Sequence, residues 1–233
     1  MEIMKAEKTE KRTSKLLTNQ IICGNCIEVM KDLPDKSIDV IVTDPPWPNC
    51  KLWKNAEKIF AEAAEEIKRI CHRALIILGY GTNPGLLHHL NMPFIRVCNM
   101  RYQKPNYAGR LLGGNDYVYV FGDLPKPIEG RHILGGECTV SVSHAKRETT
   151  HPCERSMIQM LWCIKNWTDE DELILDPFCG SGSICVASKK FGRPFIGIDI
   201  EQKYCEMARE RLKSVDTGVS YAKARQGQKA MFE

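Results

Sequence analysis

The sequence predicts an α/β fold: a doubly wound, mostly parallel sheet with helices on both faces and an antiparallel hairpin at one edge. Three observations predict it. Short apolar runs alternate with stretches of helical periodicity along most of the chain. Two of those runs end in an acid followed by a turn, in VTDPPW (42–47) and LILDPFCGSGS (173–183), and the second turn opens a helix. One pair of runs, FIRVCNMRY (94–102) and DYVYVFG (116–122), reads as two antiparallel edge strands.

Taken in order, QIICGNC (20–26) and IDVIVTD (38–44) are short buried strands. NAEKIFAEAAEEIKRICH (55–72) places Ile59, Phe60, Ala63, Ala64, Ile67 and Ile70 on one face of a helix. ALIILGY (74–80) is the third strand, and the edge hairpin follows it. Residues 123–150 are punctuated by Gly and Pro and read as an irregular excursion. ERSMIQMLWCIKNW (154–167) is a helix, LILD a strand, and the helix after the Gly-rich turn closes at Gly192. FIGIDI (195–200) is the seventh strand, and a last helix runs through about Leu212. Residues 1–18 and 214–233 are polar and aperiodic and read as flexible ends around one domain over 19–213.

Composition narrows the class. The 233 residues are 43% hydrophobic and 27% charged, an ordinary globular balance. The longest apolar runs, such as ALIIL (74–78), are too short to span a bilayer. The opening MEIMKAEKTEKRTSK has no apolar core of a secretion signal, so a cytoplasmic location is expected. The eleven cysteines are odd in number, and Cys71, Cys163 and Cys185 fall in apolar patterns where a reduced thiol packs as a small hydrophobe. Cys23 and Cys26 in CGNC have zinc-like spacing but no second pair to complete a site, so no metal is expected. The net charge of +4 permits a nucleic-acid partner. Its placement says more: RVCNMRYQKPNYAGR (96–110) carries Arg96, Arg101, Lys104 and Arg110, two tyrosines and no acid.

The chemistry lies in the two turns. In the later one, Asp176 ends a strand and Gly180-Ser181-Gly182 opens a helix, with glycines that let the backbone approach a ligand closely. Asp199 ends the next strand, 17 residues beyond Gly182, near the offset at which dinucleotide folds place a carboxylate on ribose hydroxyls. An adenosine-bearing cofactor is therefore expected. The third glycine of the dehydrogenase fingerprint is replaced by Cys185, and Asp176 would repel a pyrophosphate. The acid suits a cationic ligand such as the ammonium or sulfonium of S-adenosylmethionine.

The earlier turn, Asp44-Pro45-Pro46-Trp47, supplies a carboxylate, stiffly presented carbonyls and a flat aromatic face within four residues. The exocyclic amine of a base is a poor nucleophile because its lone pair is conjugated with the ring. Hydrogen bonds from that amine to Asp44 and the Pro45 carbonyl draw the nitrogen toward tetrahedral geometry and stabilise developing positive charge. Trp47 can stack on a base once it leaves the helix. Turns that follow parallel strands open onto one crevice, so the two turns are expected to face each other.

DPPW early, HPCERSMIQMLW after the irregular segment and LILDPFCGSGSICVASKKFGRPFIGIDIEQKYCEMARERL late resemble the permuted (β-class) S-adenosylmethionine-dependent DNA amino-methyltransferases, over roughly residues 20–213. The resemblance implies a seven-stranded Rossmann-like methyltransferase sheet in circularly permuted order, S-adenosylmethionine as cofactor and double-stranded DNA as partner. It implies that Asp44, Pro45, Pro46 and Trp47 hold the flipped base. Asp176, Phe178, Gly180, Ser181 and Gly182 would line the cofactor's amino-acid end, Asp199 its ribose, and Asn25 its adenine, where the family usually has aspartate. His151 and Pro152 match the start of the family's cofactor-helix motif, although Cys153 stands where threonine is usual and Ser156 where proline is usual. The PNCKLWK stretch (48–54) is short where relatives often carry a mobile loop, which leaves 103–115 and 123–150 as candidate DNA-contacting segments and makes a homodimer plausible. The expected activity is methylation of the adenine 6-amino group in DNA, as in restriction-modification systems, because related cytosine amino-methylators more often have serine at the position of Asp44. The alternatives are cytosine-N4 methylation, RNA adenosine methylation and a catalytically silent nucleic-acid-binding subunit.

Overall fold

The computed structural model describes residues 18–48, 54–108, 111–129, 133–140, 154–218 and 221, with the side chains of 103–108 and 111–113 not described. The strands are β1 (Gln20–Cys23), β2 (Ile38–Thr43), β3 (Cys71–Gly79), β4 (Phe94–Ala108), β5 (Leu111–Gly122), β6 (Glu137–Val140), β7 (Ile174–Asp176) and β8 (Phe195–Asp199). The helices are α1 (Cys26–Lys31), α2 (Ala56–Ile70), α3 (Met157–Trp167), α4 (Ser183–Lys190) and α5 (Gln202–Thr217), with a 3-10 turn over Pro84–Leu90. They form one sheet in the order β1-β8-β7-β2-β3-β5-β4-β6. The first five strands are mutually parallel, β5 runs antiparallel to β3 and to β4, and β6 is parallel to β4. No helix among the described residues is long and apolar enough to cross a membrane.

The sheet is apolar on both faces, as a doubly covered parallel sheet must be. Along β3, Leu75 and Ile77 join one core with α3, α4 and α5, while Ala74, Ile76 and Leu78 join the other with α1 and α2. On α2 the buried stripe is Ala56, Phe60, Ala63, Ala64, Ile67 and Ile70. Ile59, expected on that stripe, is only partly buried and lines the cavity described below.

Four details depart from the sequence reading. The sheet has eight strands rather than seven, because Glu137–Val140 within 123–150 pairs with Asn99–Tyr102. Residues 103–108 and 111–115 belong to a long β4–β5 hairpin with Ala108 opposite Leu111, where an irregular segment was expected. QIICGNC is not strand throughout: β1 stops at Cys23, and Asn25 caps α1 by accepting the Ile27 N–H at 2.9 Å. Finally, α5 continues to Thr217, past the expected domain end at 213.

Candidate active site

Strand order decides what the two turns can do together. β1, β8, β7 and β2 are consecutive parallel neighbours, so their C-terminal ends fall in a row along one edge. That row carries Asp199 and Asp176 as the last residues of β8 and β7, and Asn25 and Asp44 just beyond β1 and β2. Val40 pairs with Ile174 and Ile41 with Leu175, which brings the β2 and β7 turns side by side. The Thr43 hydroxyl donates to Asp176 Oδ1 at 2.8 Å across this seam. All four side chains line one cavity of about 290 Å³, together with Pro45, Pro46, Trp47, Phe178 and Gly180. The expected convergence of the two turns is what the fold produces.

In the β7–β8 half, Gly180 and Gly182 have φ of 49° and 78°, the left-handed region that glycine occupies without strain. At Gly182 a Cβ would also stand 2.8 Å from the Ala208 Cβ, so the turn lies directly against α5. The Asp199 carboxylate organises the turn: Oδ2 accepts the Gly180 N–H at 2.8 Å and Oδ1 the Glu201 N–H at 2.9 Å. Each of its oxygens keeps a further lone pair for a ligand hydroxyl. Burial pushes Asp199 above the usual carboxylate range, and the two N–H groups oppose that shift. Asp176 is buried, and its pKa is pushed up to about 8, mainly by desolvation, despite hydrogen bonds from Thr43 and the Phe178 N–H. A neutral acid in such a place ionises readily against an incoming cation. The glycine missing from the fingerprint is replaced from the opposite side: a Cβ on Gly197 of β8 would stand 2.7 Å from Cys185 Sγ, so the strand gives way where the helix does not.

Ser181 lines the cavity and also faces α5. Its carbonyl and hydroxyl bind Arg211 Nη1 of α5 at 2.8 and 3.2 Å, and the Ser183 hydroxyl does so at 3.0 Å. Arg211 is 1% exposed and pairs through Nη2 with Glu154 at 3.1 Å. The glycine turn is thus tied to the segment before α3. His151 and Pro152, which belong to that same motif, lie outside the described residues.

In the β2 half, Asp44 is held on three sides. The Arg155 Nε donates to Oδ2 at 2.6 Å, Arg155 Nη2 to Oδ1 at 2.9 Å, and Trp47 Nε1 to Oδ1 at 2.9 Å. Arg155 also donates to Asp116 of β5 at 2.5 Å and lies 4.3 Å over the Trp47 ring. Asp116 in turn accepts the Tyr102 hydroxyl of β4 at 2.8 Å, and that hydroxyl is 3.1 Å from Gln159 Oε1. Burial pushes Asp44 upward, and the charge and hydrogen bonds of Arg155 pull it back. For Arg155, burial favours the neutral form, but the two carboxylates outweigh it and hold the guanidinium charged. The indole of Trp47 lies across Gly79 at the end of β3, where any Cβ would overlap its six-membered ring.

Sequence reasoning missed Arg155, Glu154, Arg211, Asp116 and Tyr102. Their partners lie outside any local pattern: Arg155 and Asp44 are 111 residues apart, and even Tyr102 and Asp116 are 14 apart. The only available signal was the position of Glu154 and Arg155 inside HPCERS.

Comparison with known proteins shows a likeness to DNA methylases. The DNA methylase family model matches residues 100–210, a span that includes the glycine turn and Asp199. That span is just under half of the chain. Similar proteins extend the likeness over most of it. The type II methyltransferase M.HpaI of Haemophilus parainfluenzae is 26% identical over 240 residues, covering 87% of this chain and 76% of its own. The solved M1.HpyAVI–SAM complex superposes with a TM-score of 0.64 at 22% identity, covering 83% of this chain and 99% of the other. The cytosine-N4-specific PvuII DNA methyltransferase gives 0.69 at 14% identity, covering 88% and 89%. The methylase is an S-adenosylmethionine-dependent DNA methyltransferase. Its cavity fits that cofactor in chemistry: a buried acid suited to a cation, a second carboxylate with lone pairs to spare, and a backbone bend without side chains.

Proposed function

We propose that the methylase modifies the 6-amino group of adenine in double-stranded DNA, with the base extruded into the cavity beside Asp44. One observation carries the reading: the Asp44 carboxylate and the Pro45–Pro46 backbone share a cavity with the glycine turn, so an amine acceptor stands opposite a cofactor site. Asp176, Phe178, Gly180 and Gly182 would receive the amino-acid end of the cofactor, Asp199 the ribose, and Asn25 the adenine. The Asn25 carbonyl oxygen already caps α1, which leaves its NH2 group to face a ligand. Ser181 supports the turn through Arg211. When bound, S-adenosylmethionine supplies an electrophilic methyl group on a sulfonium centre.

The chain's own residues orient the amine. One amine hydrogen goes to Asp44 and the other to the Pro45 carbonyl, which turns the nitrogen lone pair out of the base plane. Trp47 offers its indole face to the base, at about 1–3 kcal/mol per stacked base. A nitrogen that received the methyl group, with the S–C bonding pair left on the sulfur, would be cationic; the adjacent carboxylate would stabilise that charge, and the extra proton would leave to solvent. Aspartate rather than serine at position 44 favours adenine over cytosine.

The test is direct. Full-length protein, labelled S-adenosylmethionine and mixed-sequence duplex DNA should yield N6-methyladenine on nucleoside analysis. N4-methylcytosine as the only product would overturn the adenine assignment, and preference for RNA in competition would overturn the DNA assignment. Asp44→Ala should abolish transfer while leaving cofactor affinity within a few-fold.

A further inference from the structure

Arg155 makes the most demanding contacts in the cavity, yet neither the amine-acceptor role of Asp44 nor cofactor binding calls for an arginine there. We propose that Arg155 is a positioning residue: its guanidinium clamps the Asp44 carboxylate between the base site and Asp116 and leaves it a single acceptor direction for the target amine. This rests on the reading of Asp44 as the acceptor.

The count of lone pairs supports it. An ionised carboxylate offers about four acceptor directions. Oδ1 takes Trp47 Nε1 and Arg155 Nη2, and Oδ2 takes Arg155 Nε. Among the described residues nothing else donates to it, so one direction remains, on Oδ2, which matches one amine hydrogen and leaves the second for the Pro45 carbonyl. A carboxylate with two open directions could take both hydrogens in the base plane and would keep the nitrogen flat. The clamp therefore selects the twisted geometry.

The same contacts set the charge. The ionisable groups facing Asp44 are Arg155 from the segment before α3, Asp116 from β5 and Asp176 from β7, with Tyr102 of β4 behind Asp116. Among the described residues Arg155 is the one cation that faces Asp44. Its side chain is 12% exposed, that of Asp44 16% and that of Asp116 8%, so water does little to screen the two carboxylates. Without the guanidinium, burial and the neighbouring negative charge favour a proton on Asp44, and a protonated Asp44 no longer serves reliably as an acceptor. Glu154, the preceding residue, fixes the start of the segment by pairing with Arg211, so Arg155 is presented from an anchored backbone.

The experiment compares wild type, Arg155→Met and Arg155→Lys by single-turnover methyl transfer to duplex DNA from pH 5.5 to 9.5. In parallel, 13C-carboxyl NMR titrates Asp44 in the ligand-free protein, the signal being assigned by Asp44→Asn. For Arg155→Met we expect the acid limb of the rate profile, and the Asp44 titration itself, to move up by at least one pH unit. Loss of rate should then be at least tenfold greater at pH 6 than at pH 9. Asp116→Asn in the same background should return part of the shift. Arg155→Lys should keep the acid limb but lose at least fivefold in rate, because an ammonium lacks the planar fork. An unmoved Asp44 titration in Arg155→Met, or a loss of rate equal at all pH values, overturns the proposal. If Arg155→Met does not fold, the lysine variant decides, and a wild-type rate there overturns it. If wild type methylates no DNA at any pH, the reading of Asp44 fails instead, while the NMR titration still tests the clamp.

Discussion

Gly79→Ala tests the target-base pocket without altering any of its polar groups. Gly79 is the last residue of β3, and its φ does not lie in the left-handed region, so alanine is allowed by the backbone. Space is the obstacle. The added methyl would overlap the Trp47 ring at Cη2 and Cζ3 and stand 3.1 Å from Cζ2. Relief requires the indole to move by about 1 Å, since ordinary carbon contacts begin near 3.5 Å. The Trp47 Nε1–Asp44 hydrogen bond, now 2.9 Å, does not survive such a shift if the ring moves away from the carboxylate. A hydrogen bond to a charged group contributes about 1.5–3 kcal/mol, and part of the stacking surface goes with it. The expected loss is about 10- to 100-fold in kcat/KM for DNA. Filter-binding kinetics with labelled S-adenosylmethionine measures it, and calorimetry should show cofactor affinity within twofold, because Gly79 does not line the cavity. Wild-type kinetics in Gly79→Ala would show that the position of Trp47 does not matter to base capture. Lost cofactor binding would show that the two halves of the cavity are misassigned.

Three further perturbations test the other half. Asp199→Ala removes a ribose acceptor and also releases the Gly180 and Glu201 N–H groups; the cofactor dissociation constant should rise at least tenfold, with Asp199→Asn intermediate. Arg211→Met takes the guanidinium from Glu154, whose side chain is 3% exposed, and should cost about 3–5 kcal/mol of unfolding free energy in urea. Asp176 gives a pH signature. Its folded pKa of about 8 lies above the ordinary 3.8, so the folded protein holds a proton that the unfolded chain has lost between those values. Its contribution to stability is fully present below about pH 4 and is lost as pH rises toward 8. A cationic cofactor favours the ionised form, so binding near pH 7 should release a proton and tighten up to about pH 8. Calorimetry in buffers of different ionisation enthalpy reads this directly, and the absence of proton release would count against Asp176 as the ammonium partner.

Much of the fold was legible because its signals are local. The apolar runs and helical periodicities marked the parallel strands and four of the five helices, and the acid-led turns stood out because neither serves a strand or a helix. The short helix α1 went unread because CGNC continues an apolar run, and only the Asn25 cap separates strand from helix. β6 and the full reach of the hairpin were hidden because edge strands with Gly, Pro and polar residues look like loops until a partner supplies their hydrogen bonds. The choice between a fingerprint glycine in the helix and one in the strand was likewise settled by packing, through Gly197 against Cys185.

By itself the sequence determined the sheet class, the two turns and the acids that end their strands, because each depends on neighbours a few residues away. Only the tertiary structure decided that Arg155 grips Asp44, that Arg211 ties the glycine turn to Glu154, and that Trp47 lies over Gly79. Charge pairs and ring contacts of that kind are set by which elements lie side by side in the fold, and side chains separated by 30 to 111 residues carry no mark of one another until the chain has folded.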